Sequence, residues 1–96
     1  MYTRITRFTD CDAEAIDKLV SMVDEAEGPP EGVPSSGLDL LVDADAGTVV
    51  FVGHFETEED LRTGDEALKK MDPPGGSPGT WASTDVCEVR LQKRTP

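Results

Sequence analysis

The fold is decided by residues 49–59, which read Val49-Val50-Phe51-Val52-Gly53-His54-Phe55-Glu56-Thr57-Glu58-Glu59. The apolar, β-branched first half predicts a strand at 48–55. Side chains alternate between the two faces of a strand. Here both sets are apolar, with Val50 and Val52 on one face and Val49, Phe51 and Phe55 on the other. A strand of this kind is normally buried on both sides. The acidic second half predicts a helix that opens at Thr57.

The remaining elements follow from the spacing of apolar residues around this stretch. We predict strands at 2–8, 38–42, 48–55 and 83–92, a hairpin turn at 43–47, and helices from 9–12 to about 28 and from 57 to the Pro pair at 73–74. Gly64 lies in the middle of the second helix, where Gly costs about 1 kcal/mol relative to Ala, so we expect a close packing contact there.

The predicted element order indicates an α+β, ferredoxin-like fold, βαββαβ, as a single domain over residues 1–96. Its four strands form one antiparallel sheet, and both helices lie on one face. Right-handed crossovers place the first and third strands in the centre and the fourth strand beside the first.

The second apolar face of the third strand needs a cover. Two helices cover one face of a four-stranded sheet, and a chain of 96 residues has no further element for the other. Symmetric dimers are the commonest oligomers, so we expect a homodimer formed through the open sheet face. The alternative is a monomer with an exposed apolar patch, and large patches on monomers are unusual.

The net charge of the chain argues against some classes of binding partner. The formal net charge is −11, and residues 19–61 contain no Lys or Arg. This balance argues against nucleic acid, which is bound through basic side chains on phosphates, and against anionic membrane surfaces. The longest apolar run is too short to span a bilayer, and no signal peptide is visible. We therefore expect a cytoplasmic protein with reduced thiols, in which Cys87 is a small core residue.

One face of the first strand carries Tyr2, Arg4, Thr6 and Phe8, and Glu88 and Arg90 would lie on the same side if the fourth strand is adjacent. Aromatic surface with a few charged groups is typical of small-molecule pockets, and the predicted ligand-binding set is Tyr2, Arg4, Phe51, Trp81 and Arg90. Arg4 or Arg90 would hold an anionic or phenolate oxygen, for example of a small aromatic ligand. The alternative is an Arg–Glu pair across two strands that stabilises the sheet. Trp81 is either a lid over the pocket or an anchor for the preceding loop.

His54, the only histidine, is the candidate catalytic residue. Histidine serves as a proton shuttle or general base near neutral pH. The alternative is a histidine at the rim of the sheet that bonds solvent or backbone. We expect no metal site, because the turn at 43–47 fails the calcium-loop pattern at its fifth and twelfth positions. We expect no cofactor, and the Gly-rich stretch 75–80 lacks the Gly-Lys pair of a phosphate loop.

The element order and residues 49–59 resemble the antibiotic-biosynthesis-monooxygenase-like domains of the dimeric α+β barrel superfamily. In that family the third strand commonly ends in an aromatic residue, an acid and a small polar residue before a helix, and here the stretch reads Phe55-Glu56-Thr57. The resemblance implies the fold and the dimer. It does not carry an activity, because Phe55 stands where the family usually has Trp and the chain contains no Asn.

Two functions follow from these observations. The first is a dimer that is non-catalytic or binds a small ligand, which the scarcity of paired titratable groups favours. The second is implied by the resemblance: a cofactor-independent monooxygenase acting on a phenolic or polycyclic molecule, with His54 as the base.

Overall fold

The computed structural model describes residues 1–71 and 77–96 and confirms the predicted order of elements. The elements are β1 Tyr2–Thr9, α1 Ala13–Glu25, β2 Gly37–Asp43, β3 Thr48–Phe55, α2 Glu58–Lys69 and β4 Thr80–Glu88. The predicted bounds of the fourth strand were wrong. Pairing with β1 sets its length, because Tyr2 faces Glu88 and Thr9 faces Thr80. The predicted helix stop at 73–74 lies outside the described residues.

The four strands form one antiparallel sheet in the order β2-β3-β1-β4, as a ferredoxin-like fold requires. The prediction that the first and third strands are central, with the fourth beside the first, is confirmed. The register places Arg4 opposite Gly53 on one side and Val86 on the other. A register shift after Arg7 in the β1–β4 pairing brings Trp81 opposite Phe8.

Both helices begin at a side-chain cap but differ in their last turns. The carboxylate of Asp12 accepts a hydrogen bond from the Ala15 amide at 2.7 Å, and the Thr57 hydroxyl accepts one from the Asp60 amide at 3.1 Å. The last turn of α1 contains Asp24 and Glu25 and no basic residue, whereas α2 ends at Lys69. Neither helix has the length and apolar composition needed to cross a lipid bilayer, a finding that covers the described residues.

The core consists of two clusters between the sheet and the helices. One contains Phe8, Cys11, Ile16, Leu19 and Val49, and the other contains Val33, Phe55 and Leu61. The close contact predicted at Gly64 is confirmed. A Cβ atom added there would lie 2.5 Å from Cε1 of Phe55, so only Gly lets α2 approach the sheet this closely.

The other side of the sheet, which we call the open face, is covered by neither of the two helices in the described residues. It carries alternate residues of each strand: Asp39 and Leu41 from β2, Val50, Val52 and His54 from β3, Thr3, Ile5 and Arg7 from β1, and Asp85 and Cys87 from β4. The expectation that the third strand is apolar on both faces is confirmed. The expectation that Cys87 is a core residue was wrong, since it lies exposed on this face in an edge strand.

Candidate functional site

Arg4 lies in the middle of β1, and its side chain points toward the helices. The side chain is only 7% exposed. Its Nε donates a hydrogen bond to Oδ1 of Asp65 in α2 at 2.9 Å, and its Nη1 donates to Oγ1 of Thr6 at 2.9 Å. Within residues 1–71 and 77–96, the buried Nη2 has no hydrogen-bond partner. Leaving a buried donor unsatisfied costs about 1–3 kcal/mol, and more for a charged group, so an added acceptor at Nη2 would be favourable.

Asp65 is held between two cations. Besides the bond from Arg4, its Oδ2 lies 3.0 Å from Nζ of Lys69. Partial burial raises the pKa of Asp65, but the hydrogen bonds and positive charges of Arg4 and Lys69 outweigh that effect and lower the pKa below its ordinary value. Asp65 is therefore a carboxylate at neutral pH.

A short polar chain links Arg4 to the edge of the sheet. Oγ1 of Thr6 lies 3.4 Å from Oγ1 of Thr84, which accepts a hydrogen bond from Nε1 of Trp81 at 2.8 Å. The Trp81 ring also packs on Phe8, with the ring centroids 6.0 Å apart. One end of this chain is a buried cation, and the other is an indole that is 45% exposed.

The helix-facing side of β4 is left largely uncovered by the two core clusters. Val86 is 52% exposed and lies directly opposite Arg4 in the β1–β4 pairing. We call this strip the β4 groove, and it is formed by Arg4, Thr6, Trp81, Thr84 and Val86. Apolar surface with a few convergent polar groups is what small-molecule sites offer, and the groove has both.

The structure brings most of the predicted ligand-binding residues to this side of the sheet. Phe51 packs edge-on against Phe8, with ring centroids 5.7 Å apart. Tyr2 shares the face of Arg4, and its hydroxyl lies 3.4 Å from Glu88 Oε2. Arg90 does not join them, because it lies exposed beyond the end of β4 and pairs with Glu88. The buried partner of Arg4 is thus Asp65 of α2, whereas an Arg–Glu pair across strands was the predicted alternative.

His54 lies on the opposite side of the sheet from Arg4. It belongs to the open face, where its Nε2 lies 2.9 Å from Oδ2 of Asp39 across the β2–β3 pairing. One protomer therefore does not place the candidate base and the candidate anion-binding arginine in one pocket. Sequence reasoning missed Asp65, for which the one local signal is its spacing of four residues from Lys69.

Two surface depressions of about 610 and 300 Å³ occur elsewhere on the described residues. The larger follows the outer side of α2, and the smaller adjoins the β2–β3 hairpin near Arg7 and Leu41. Neither is lined by Arg4, Trp81 or His54. The described residues also bring no three His, Cys, Asp or Glu side chains together in a way that could hold a metal ion.

The chain has the fold of a solved structure, that of Rv0793 from Mycobacterium tuberculosis. The similarity has a TM-score of 0.55 and covers 98% of each chain at 17% sequence identity. No protein-family profile and no curated protein matches the sequence. At this level of identity the likeness shows a shared ferredoxin-like fold, and any functional argument rests on the geometry of the site.

Proposed function

We propose that this protein is a homodimer that binds a small aromatic molecule in the β4 groove and does not transform it. The observation that carries the proposal is the half-exposed pair Trp81 and Val86 beside the buried guanidinium of Arg4. Aromatic side chains offer large, rigid contact area, and Val86 supplies an apolar wall. A flat, apolar ligand lying on this strip would cover surface that the helices leave to solvent.

The polar groups around the groove support binding over catalysis. Arg4 and the Trp81 indole are donors only, and the Thr hydroxyls are poor bases. Asp65 is the carboxylate bonded to Arg4, but two cations lower its pKa, which makes it a weak proton acceptor. The five residues that form the groove thus include no general base. The alternative, a cofactor-independent monooxygenase, requires one beside the substrate, and His54 faces the other way.

The open face supports the homodimer. Leu41 pairs with Val50, and Val52 pairs with Ile5, so four apolar side chains form one patch across three strands. Leu41 is 53% exposed. A second copy placed face to face would remove this patch from water. The resemblance of residues 49–59 to antibiotic-biosynthesis-monooxygenase-like domains supports the same assembly and a place in that group.

A neutral probe, 2-naphthalenemethanol, tests binding in the groove. Trp81 is the only tryptophan, so its indole N–H gives a single NMR signal that reports on the site. We expect this signal to shift on titration in the wild type and to shift much less in Val86→Glu. The matched control is Leu38→Glu, a similarly exposed position on the same side of the sheet but on the opposite edge strand. Equal binding by both variants, or an unmoved signal in the wild type, would refute the site.

Sedimentation equilibrium at micromolar concentration tests the dimer. We expect the wild type to be dimeric and Leu41→Asp to shift toward the monomer, because the substitution places a charge within the apolar patch that the dimer would bury. Val20→Asp is the control, since Val20 is also exposed but lies on α1. A monomeric wild type at these concentrations contradicts the proposal.

A further inference from the structure

We infer that the ligand of the β4 groove is a monoanion whose carboxylate or phenolate oxygen accepts a hydrogen bond from Nη2 of Arg4. This inference rests on the proposed binding in the groove. A guanidinium carries five N–H donors in a fixed plane. Asp65 accepts a hydrogen bond from Nε, and Thr6 accepts one from Nη1. In the described part of the chain, the two N–H groups of Nη2 have no acceptor.

The net charge of the side chains around Arg4 favours a ligand that carries one negative charge. Arg4 and Lys69 contribute two positive charges and Asp65 one negative charge, so this group has a net charge of +1 within a chain whose net charge is −11. One anionic oxygen would neutralise the group. A dianion would overcompensate it, and a cation would meet repulsion from a partly buried arginine.

The route to Nη2 passes through the edge strand. Nη2 itself has no exposed surface, so the ligand must displace a neighbouring side chain. Val86 lies directly opposite Arg4 and is 52% exposed, so its side chain has room to move toward solvent and open a path to Arg4. A ligand oxygen that reaches Nη2 places the attached ring over Val86, toward Trp81 and Thr84. The anionic group and the aromatic ring thus use the two halves of the same groove.

Three probes with one ring system test the charge preference: 2-naphthoate, 2-naphthalenemethanol and 2-naphthylmethylammonium. Each is titrated at pH 7 into the wild-type protein, and the Trp81 indole signal gives the dissociation constant. Hydrogen bonds between ionised partners are about twice as strong as neutral ones, so we expect naphthoate to bind about tenfold more tightly than the alcohol. The ammonium compound should bind most weakly.

Variants assign the preference to Arg4. The double variant R4Q/D65N removes both charges but keeps a neutral hydrogen-bonding pair, and its fold is checked by circular dichroism. We expect naphthoate and the alcohol to bind it within about twofold of each other, because the charge-assisted bond is gone. Arg90→Gln removes an exposed cation outside the groove and should keep the full preference. If R4Q/D65N fails to fold, Lys69→Gln, at a 61% exposed position, should lower the preference several-fold.

The outcomes separate this inference from the proposed function. If the alcohol binds in the groove and naphthoate binds no better, the monoanion inference is overturned and the binding site stands. A preference that survives in R4Q/D65N, or that disappears in Arg90→Gln, overturns the role of Arg4. If no probe binds up to its solubility limit, both the inference and the proposed site are refuted.

Discussion

Replacing Gly64 by Ala should destabilise the protein, although Ala is the better helix former. The added methyl would lie 2.5 Å from Cε1 and 2.8 Å from Cζ of Phe55. Carbon atoms in good contact are about 3.5–4.0 Å apart, so the ring or the helix would have to move by roughly 1 Å. Phe55 is 1% exposed and packs against Val33 and Leu61, which leaves its ring little room.

Two opposing contributions set the size of the effect. Overpacking a close-fitting core costs about 1–3 kcal/mol. Ala in place of Gly inside a helix returns about 1 kcal/mol. A rigid, buried ring puts the overpacking cost toward the upper end, so we expect Gly64→Ala to lower the free energy of unfolding by about 1–2 kcal/mol. For a domain of this size that corresponds to a fall in Tm of about 4–8 °C per kcal/mol.

Urea unfolding followed by circular dichroism measures this change. The control is Thr63→Ala, the adjacent exposed position of α2, which has the helix benefit without the clash and should be neutral or slightly stabilising. The double variant F55L/G64A should lose less stability than the sum of its single changes, because the ring that clashes is absent. If Gly64→Ala unfolds at the same urea concentration as the wild type or a higher one, the packing argument is refuted.

Three further changes probe other parts of the structure. Asp65→Asn should lower the free energy of unfolding by about 2–3 kcal/mol at pH 7, because Arg4 loses a charge-assisted hydrogen bond and its counterion. The folded-state pKa of Asp65 is lowered, so the stability it contributes is present above its ordinary pKa and is lost as pH falls through the folded value. The wild-type and variant urea midpoints should therefore converge as pH falls below the ordinary pKa of Asp and through the lowered folded-state pKa of Asp65, and a constant gap would contradict the ion pair. In the Leu41→Asp variant, whose open face is not covered by a partner, Cys87 should react at once with Ellman's reagent while Cys11 reacts slowly, because Cys11 is 6% exposed and burial, aided by Asp10 and Asp12, raises its pKa. Cys87→Ser should abolish the fast phase, and equal rates for both thiols would refute the assigned burial. Thr57→Ala should lower the free energy of unfolding by about 1 kcal/mol, because the hydrogen bond from the Asp60 amide is lost. A urea midpoint for Thr57→Ala as high as that of Thr63→Ala would contradict the capping role of Thr57.

The parts of the fold that depend on local pattern were predictable. β3 has the predicted bounds because its apolar run and the Thr57 cap mark both ends within a few residues. The bounds of β4 could not be predicted, because they depend on how far β1 extends beside it. In addition, Thr80-Trp81-Ala82 shows no clear alternation of apolar and polar residues. Cys87 was misplaced for a related reason. Its apolar neighbours suggested burial, but the exposure of Cys87 is set by the position of β4 at the edge of the sheet and by the face on which the side chain lies.

The candidate site also contains features that local pattern predicted and features that depend on long-range packing. Alternation along β1 correctly placed Arg4 on the face of Tyr2 and Phe8. The Arg4–Asp65 pair joins residues 61 positions apart and depends on how α2 is rotated over the sheet, which no local pattern specifies. His54 has the same parity as Val50 and Val52, so its place on the open face follows from the strand once the sheet pairing is known.

The charges in the last turns of the two helices interact with the helix dipoles in opposite ways. A helix carries a partial negative charge at its C-terminus, which Asp24 and Glu25 reinforce in α1, whereas acids at the start of α2 and Lys69 at its end complement the dipole there. We therefore expect the amides in the last turn of α1 to exchange faster than those in the last turn of α2. Added salt screens both interactions, so it should stabilise the last turn of α1 and slightly destabilise the last turn of α2.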